Sequence, residues 1–518
     1  MQREMSYEAL TPTAFLLRAG KVFADRVAVI DGDERYTYAE FLERALKLAG
    51  ALKALGLVDG ARVAVLAPNT HVLLEAHYGV PLAGAVLVAL NPRLTPADLA
   101  RIVAHAEATL LIFDYEYESV AAEIARAIGP DLKLVRAGGK DEYEALLRLA
   151  TPYAGAPVDE RGLLSINYTS GTTGEPKGVM YHHRGAYLQA LSMAFHARLD
   201  AGSVFLWTLP MFHCNGWCFT WAVTAAGATH LCLRKLDPGL VWKHLATSGV
   251  THFNAAPTIL TMLAWHASAE EKRPSCRIAI ATGGAPPTPA LLARMSELGM
   301  DVTHLYGLTE TFGPAVLCEW RPEWNALPAA EQAQLKARQG VGNVVSQRLR
   351  VVDAQGGDVP ADGAALGELA LRGNNVMLGY YRDPEATRKA APDGWFRTGD
   401  LAVAHPDGYV EIRDRAKDII ISGGENIASI EVERALSTHP DVLEVAVVAG
   451  PDAKWGEVPV AFVSLKAGAS ADADALIAHA RSLLAHFKTP KRVVFGELPK
   501  NATGKIQKFI LRERAKTP

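Results

Sequence analysis

Residues 168–179 read YTSGTTGEPKGV. Three glycines, Gly171, Gly174 and Gly178, sit among Thr169, Ser170, Thr172 and Thr173, with Lys177 near the end. Glycine tolerates positive φ and lets backbone N–H groups crowd together. Such a run makes a concave nest of amides that suits a phosphate. The apolar lead-in at residues 163–166 predicts a buried strand that stops at the loop. The stretch therefore predicts a phosphate cradle carried on a rigid edge.

The loop is not a Walker A sequence. It ends Gly174-Glu175-Pro176-Lys177-Gly178, whereas that motif closes on Gly-Lys-Ser/Thr. No GxGxxG follows a strand, so the dinucleotide fingerprint is absent too. A Gly-rich surface loop without function has the same composition, so the loop needs company elsewhere in the chain.

Residues 283–286 read GGAP, 306–311 YGLTET, 367–373 GELALRG and 395–401 WFRTGDL. Residues 414–427 read DRAKDIIISGGENI and 499–505 PKNATGK. In this order and at these spacings the set resembles the adenylate-forming superfamily. That group comprises acyl- and aryl-CoA synthetases, luciferases and the adenylation domains of peptide synthetases. The resemblance spans residues 168–505 and is specific for the superfamily rather than for a substrate.

At 518 residues the chain exceeds what one core supports, so at least two domains are expected. Net charge is −3, without the basic excess of a nucleic-acid binder. No apolar run reaches the roughly 18 residues of a membrane span. The longest candidate, residues 78–90, carries Gly79, Pro81 and Gly84 and predicts a buried helix–strand segment. Stable membrane insertion is therefore not expected. The opening MQREMSYEAL has acids and no apolar signal core, so a cytoplasmic chain is expected. Five cysteines without a CxxC pair suit a reducing compartment. His213, Cys214 and Cys218 lie close together, but no second ligand pair accompanies them, which argues against zinc.

Thr37-Tyr38-Ala39-Glu40 is a capping-box pattern. Behind it Leu42, Ala45, Leu46, Ala49 and Leu52 recur at helical spacing until Gly56. Residues 62–66 and 109–113 predict strands, and Pro92, Thr95 and Pro96 precede a helix. Such alternation over most of the first 340 residues predicts an α/β domain with largely parallel sheets. From Val341, short strands alternate with turns at Gly356-Gly357, Asp393-Gly394 and Asp407-Gly408, predicting a small β-rich, barrel-like subdomain. The last hundred residues predict an α+β unit, with helices over 429–438 and 476–484 and strands over 442–448, 458–465 and 492–495. The boundary is set at Asp414, giving domains 1–414 and 415–518. The resemblance implies the same plan: a large N-terminal domain of two α/β sheet subdomains plus the β-rich one, and a small mobile C-terminal domain.

The resemblance also implies a reaction. A carboxylate and ATP give an acyl-adenylate and pyrophosphate, and CoA then attacks to give acyl-CoA and AMP. Carboxylate and polyphosphate repel, so positioning and electrostatics must carry the catalysis. The implied partners are small molecules (a carboxylic acid, ATP and CoA) with Mg²⁺ as cofactor; a homodimer stays open. By the resemblance, Thr169, Ser170, Gly171, Thr172, Thr173, Gly174 and Lys177 hold phosphates. Glu310 ligates Mg²⁺ and Thr309 donates to the α-phosphate. Asp400 and Arg415 serve the ribose, and Tyr306 and Gly307 the adenine. Gly283, Gly284, Ala285 and Pro286 line the adenine and acyl sites. Lys505 is the catalytic cation, a compact charge where negative charge gathers. Lys417 stands at the hinge position, and after rotation Ser422, Gly423, Gly424 and Glu425 border the pantetheine tunnel. His213 is a gate residue, and Trp217 walls the acyl pocket.

Each residue alone has a bland counterpart. Glu310 reads equally as a helix N-terminal acid, Asp400 and Arg415 as a turn acid and a surface arginine, and Lys505 as a solvated tail lysine. His213, Trp217, Phe219 and Trp221 read as core residues. Residues 211–221, MFHCNGWCFTW, together with YGLTETFGP resemble plant-type acyl-activating enzymes and short- or medium-chain acyl-CoA synthetases. They also resemble methylmercaptopropionate-CoA ligases. The aromatics favour a short- to medium-chain apolar acid; benzoate-like acids and methylmercaptopropionate stay as alternatives. A nucleotide-binding pseudoenzyme or sensor would show a degenerate Glu310, Asp400 or Lys505, and all three are present.

Overall fold

A strand that is apolar at every position needs cover on both faces. Val63 and Val65 enter one core, while Ala64 and Leu66 enter another. Phe205 and Trp207 share the first core, while Leu206 enters a third. The first core thus lies between two sheets, and the other two lie on their outer faces. The computed structural model describes residues 8–139, 142–155, 159–169, 176–285, 287–346, 349–452, 454–500 and 505–516.

Among the described residues the strands form four sheets. A seven-stranded sheet runs from Gly379–Tyr380 through Lys177–His182, Leu163–Thr169, Val86–Ala89, Arg62–Leu66 and Ala108–Asp114 to Lys133–Ala137. Its pairs are parallel except at the Gly379–Tyr380 end. A nine-stranded sheet has a parallel centre, from Met300–Leu308 through Ile278–Thr282, His252–Ala255, Val204–Leu206 and Thr229–Leu231 to Val27–Asp31. A four-stranded antiparallel sheet holds Arg350–Val352, Gly367–Leu371, Phe396–Ala404 and Val410–Arg415. A Gly340–Val410 bridge joins it to the nine-stranded sheet's edge region. The fourth sheet, of five strands, lies in the small C-terminal part with helices Ser429–Ser437 and Ala473–Leu483. These are the expected α/β architecture and its α+β companion.

The local signals fold as the residues dictate. Thr37 Oγ1 accepts from the Glu40 amide and Glu40 accepts from the Thr37 amide at 2.7 Å, so the capping box opens helix Tyr38–Ala54. Residues 78–90 divide between helix His71–Leu82 and strand Val86–Ala89. No helix among the described residues is long and apolar enough to cross a membrane.

The helices between the sheets share one buried charge network. Glu75 is 1% exposed. It accepts from Arg44 Nε at 2.5 Å and from the Tyr143 hydroxyl at 2.6 Å, and Arg44 also pairs with Glu144. The network ties helices Tyr38–Ala54, His71–Leu82 and Glu142–Leu149 together. Glu75→Ala would leave a largely buried guanidinium short of its partner, so it should destabilise the protein by about 3–5 kcal/mol. Urea unfolding checks this, and an unchanged midpoint would show that the network does not hold the layer.

Candidate active site

Asp400 lies on Phe396–Ala404 directly opposite Arg415 on Val410–Arg415. Its carboxylate is buried, pairs with Arg415 Nε at 3.2 Å and accepts from the Tyr306 hydroxyl at 2.6 Å. Tyr306 comes from Met300–Leu308, so one carboxylate joins the four-stranded sheet to the nine-stranded sheet. Burial and the neighbouring carboxylate push the Tyr306 phenol up, which keeps it the donor.

After Leu308 the chain makes a tight turn over Thr309–Thr311. The Tyr181 hydroxyl donates to the Thr309 carbonyl at 2.7 Å, and the Met377 amide donates to the Glu310 carbonyl at 2.8 Å. Phe312, at φ +60°, stacks on Tyr181 with centroids 3.8 Å apart. The turn is thereby pinned from both sides. A Cβ at Gly307 would overlap the Gly313 carbonyl, so close backbone approach requires glycine there. The Glu310 carboxylate receives the Tyr380 hydroxyl at 2.8 Å, and Lys177 Nζ lies 4.8 Å from the centre of the Tyr380 ring. Tyr380 was not legible as a site residue. It arrives because Gly379–Tyr380 pairs with Lys177–His182, a long-range contact that no local motif announces.

The HCNGW stretch folds unusually. Cys214, Asn215, Gly216, Trp217 and Cys218 have φ of +51°, +51°, +61°, +56° and +63°. They form a left-handed helical turn, a conformation that L-residues visit mostly singly. Tertiary contacts hold it. Asn215 Nδ2 donates to Ser165 Oγ at 2.8 Å, and a Cβ at Gly216 would come within 2.5 Å of the Trp207 ring. The Cys214 thiol donates to Thr309 Oγ1 at 3.5 Å, and its sulfur lies 3.8 Å from His213 Nε2. The turn sets Trp217 between two glycines. A Cβ on Gly283 or on Gly313 would lie 3.2 Å from Trp217 atoms. Trp217 is itself 7% exposed.

Next to Lys505, Ile506 bridges to Lys500 and the Gln507 amide donates to the Pro499 carbonyl at 2.8 Å. Lys505 is partly buried and lies in electrostatic reach of Asp400, Arg415, Lys417 and His213. Burial together with the Arg415 charge pushes its ammonium down to about 7, against the pull of Asp400. Burial and the Lys505 charge push His213 down to about 4, so its ring is neutral near pH 7. Lys417 occupies the turn between Val410–Arg415 and Ile420–Ser422. Ser422 and Glu425 pair across a two-residue turn of Gly423 and Gly424, at φ +60° and +89°. Gly423, Gly424 and Glu425 are exposed.

The structure thus gathers Lys505, Asp400, Arg415, Tyr306 and His213, with Thr309 reached through Cys214 and Glu310 joined to Lys177 through Tyr380. It does not bring the 422–425 hairpin tip into that cluster. Gly284 and Ala285 are exposed beside the buried Gly283. Thr169 ends strand Leu163–Thr169 opposite Lys177. Ser170, Gly171, Thr172, Thr173, Gly174 and Pro286 lie outside the described residues.

Two family models match the chain. Residues 16–381 match the AMP-binding enzyme model, and residues 431–505 match the AMP-binding enzyme C-terminal domain. The chain belongs to the AMP-binding enzyme family. It is 45% identical to an acetate–CoA ligase of Humulus lupulus, over 99% of this chain and 95% of that one. It is 44% identical to 4-hydroxybutyrate–CoA ligase 2 of Metallosphaera sedula, over 98% and 95%. The crystal structure of ATP-bound MatB from Rhodopseudomonas palustris superposes with a TM-score of 0.85 at 28% identity, covering 98% of this chain and 99% of that one. Apo MatB from the same organism gives 0.76. The resemblance read from the motifs to adenylate-forming acyl-CoA synthetases therefore holds along the whole chain.

The Lys505 amine has a measurable signature. Only its neutral form reacts with an acylating reagent, so competitive labelling read by mass spectrometry should show Lys505 reactivity rising through about pH 7. Exposed lysines should rise near pH 10.4. A Lys505 midpoint with the exposed lysines would contradict the burial and charge described.

Proposed function

We propose that the chain is an ATP-dependent, AMP-forming acid–thiol ligase acting on short- to medium-chain apolar acids. The observation that carries it is the position of Lys505. An amine from the C-terminal part lies in electrostatic reach of the Asp400–Arg415 pair and of the neutral His213 of the large part.

In this reading Lys505, protonated, sits where the acid's carboxylate meets the α-phosphate and lowers their repulsion. Asp400 accepts from the ribose hydroxyls. Among the described residues each of its oxygens has one hydrogen-bond or ion-pair partner, which leaves lone pairs for the sugar. Thr309 receives the Cys214 S–H, so its own hydroxyl hydrogen is free to point at the α-phosphate. Lys177 and residues 169–174 hold the β- and γ-phosphates. The oxygen donors at Glu310 fit a hard cation: Tyr380 holds one carboxylate oxygen, and among the described residues the other is left for the metal. When bound there, Mg²⁺ supplies charge neutralisation for the phosphates.

Thiol transfer needs a different arrangement. We place the domain boundary at 414/415 and the hinge at Lys417, in the turn between the four-stranded and five-stranded sheets. Rotation there withdraws Lys505 and swings the exposed Ser422–Glu425 hairpin toward the site. The five free cysteines suit a reducing compartment, so we place the enzyme in the cytoplasm.

The substrate follows from Trp217. Its indole rests on Gly283 and Gly313, where it shortens the space left for an acyl chain. The relatives' names, acetate–CoA ligase and 4-hydroxybutyrate–CoA ligase, support small acids. CoA-dependent AMP release should be measured with acetate, butyrate, hexanoate, octanoate, palmitate, benzoate and methylmercaptopropionate. The expected optimum lies between acetate and octanoate. Trp217→Gly should move it to longer chains, raising kcat/KM for a disfavoured longer acid by about 10-fold or more. Palmitate or benzoate as best substrate of the native enzyme would overturn the substrate class, and AMP release independent of CoA would overturn the acceptor.

A further inference from the structure

Tyr380 belongs to none of the motif residues, yet it touches two of them. Its hydroxyl donates to Glu310 Oε1 at 2.8 Å, and its ring faces Lys177 Nζ at 4.8 Å. Its backbone is locked. Tyr380 pairs with Val179 and Gly379 with Met180, the Tyr381 amide donates to the Gly178 carbonyl at 2.7 Å, and the Tyr380 amide donates to Thr387 Oγ1 at 2.9 Å. Gly379 has φ +144°, and a Cβ there would come within 2.7 Å of Thr387, so strand and helix Pro384–Ala390 are in close contact. A rigid ring therefore stands between the carboxylate and the lysine.

We propose that Tyr380 is the positioning residue of the triphosphate site, fixing Glu310 and Lys177 at one separation. The proposal rests on the reading of Glu310 as metal ligand. The two parts of the side chain do separate work. The hydroxyl occupies one carboxylate oxygen and stops the carboxylate from rotating, so a single oxygen is presented to the cation. The ring face attracts the ammonium and keeps Lys177 beside the phosphates. Hydrogen-bond partners of metal ligands commonly alter metal affinity 10- to 100-fold when removed.

The test is ATP binding measured calorimetrically without acid, so that no turnover occurs, across a Mg²⁺ series. Tyr380→Phe keeps the ring and its packing and loses only the hydroxyl. It should need about 10-fold more Mg²⁺ for half-maximal ATP binding, with metal-free ATP affinity unchanged. Tyr380→Leu should weaken ATP with and without Mg²⁺, because Lys177 loses its seat. Glu310→Gln, run alongside, should also shift the Mg²⁺ series. If Glu310→Gln shifts it and Tyr380→Phe does not, the positioning role falls while the metal reading stands. If neither shifts it, both fall. If Tyr380→Phe weakens ATP equally with and without Mg²⁺, the residue is structural and the proposal is overturned.

Discussion

One buried carboxylate organises this protein. Asp400 takes the Tyr306 hydroxyl from one sheet and the Arg415 guanidinium from another, and it draws the Lys505 ammonium from the C-terminal part. Around it stand Arg415, Lys417 and Lys505; the Arg415 charge adds to burial in pushing both lysines down, and Lys417 pushes Lys505 down further. The chain by itself places more positive than negative charge at this point. A polyanionic substrate supplies the balance, so the cations are arranged before it arrives, and little reorganisation accompanies the reaction. The depressed lysine has two causes: burial first, which penalises its ammonium, and then neighbours that are mostly cationic. In the proposed reading, negative charge from ATP and the acid raises it again, so the charged form is favoured in the complex.

Strain sits beside this charge. Four non-glycine residues between Cys214 and Cys218 hold left-handed φ values, each costing roughly 1–2 kcal/mol. Such conformations persist where the surroundings over-determine them. Here the determinants are the Asn215–Ser165 bond, the Trp207 ring over Gly216 and the contact of Cys214 with Thr309. The turn places two side chains at once: His213 where the Lys505 charge acts on it, and Trp217 against Gly283 and Gly313. In the proposed reading, acyl selection and phosphate contact thus share one backbone feature.

Much of the fold was legible because local rules and tertiary demands agree. The Thr37 capping box, the strands at 62–66 and 492–495 and the helix after Thr95 appear where pattern placed them. Among the candidate site residues, those inside spaced motifs were nameable in advance, and the described structure brings Lys505, Asp400, Arg415 and Tyr306 into one neighbourhood. Tyr380 was missed because its relevance comes from pairing with a strand two hundred residues earlier. The left-handed turn was missed because only Asn215 and Gly216 favour such φ, while Cys214, Trp217 and Cys218 do not. Cys214, weighed beside His213 and Cys218 as a metal ligand, instead donates its thiol hydrogen to Thr309. The placement of Lys505 beside the large part was beyond sequence altogether, since no local pattern encodes how the C-terminal part docks.

The most direct test is to separate the two half-reactions in Lys505→Ala. Acid-dependent exchange of pyrophosphate into ATP reports adenylation, and thioester formation from supplied acyl-adenylate and CoA reports transfer. Loss of one transition-state charge should slow exchange by roughly 10²- to 10³-fold, while transfer stays close to the native rate. Equal loss in both half-reactions would contradict the placement of Lys505 as the adenylating cation.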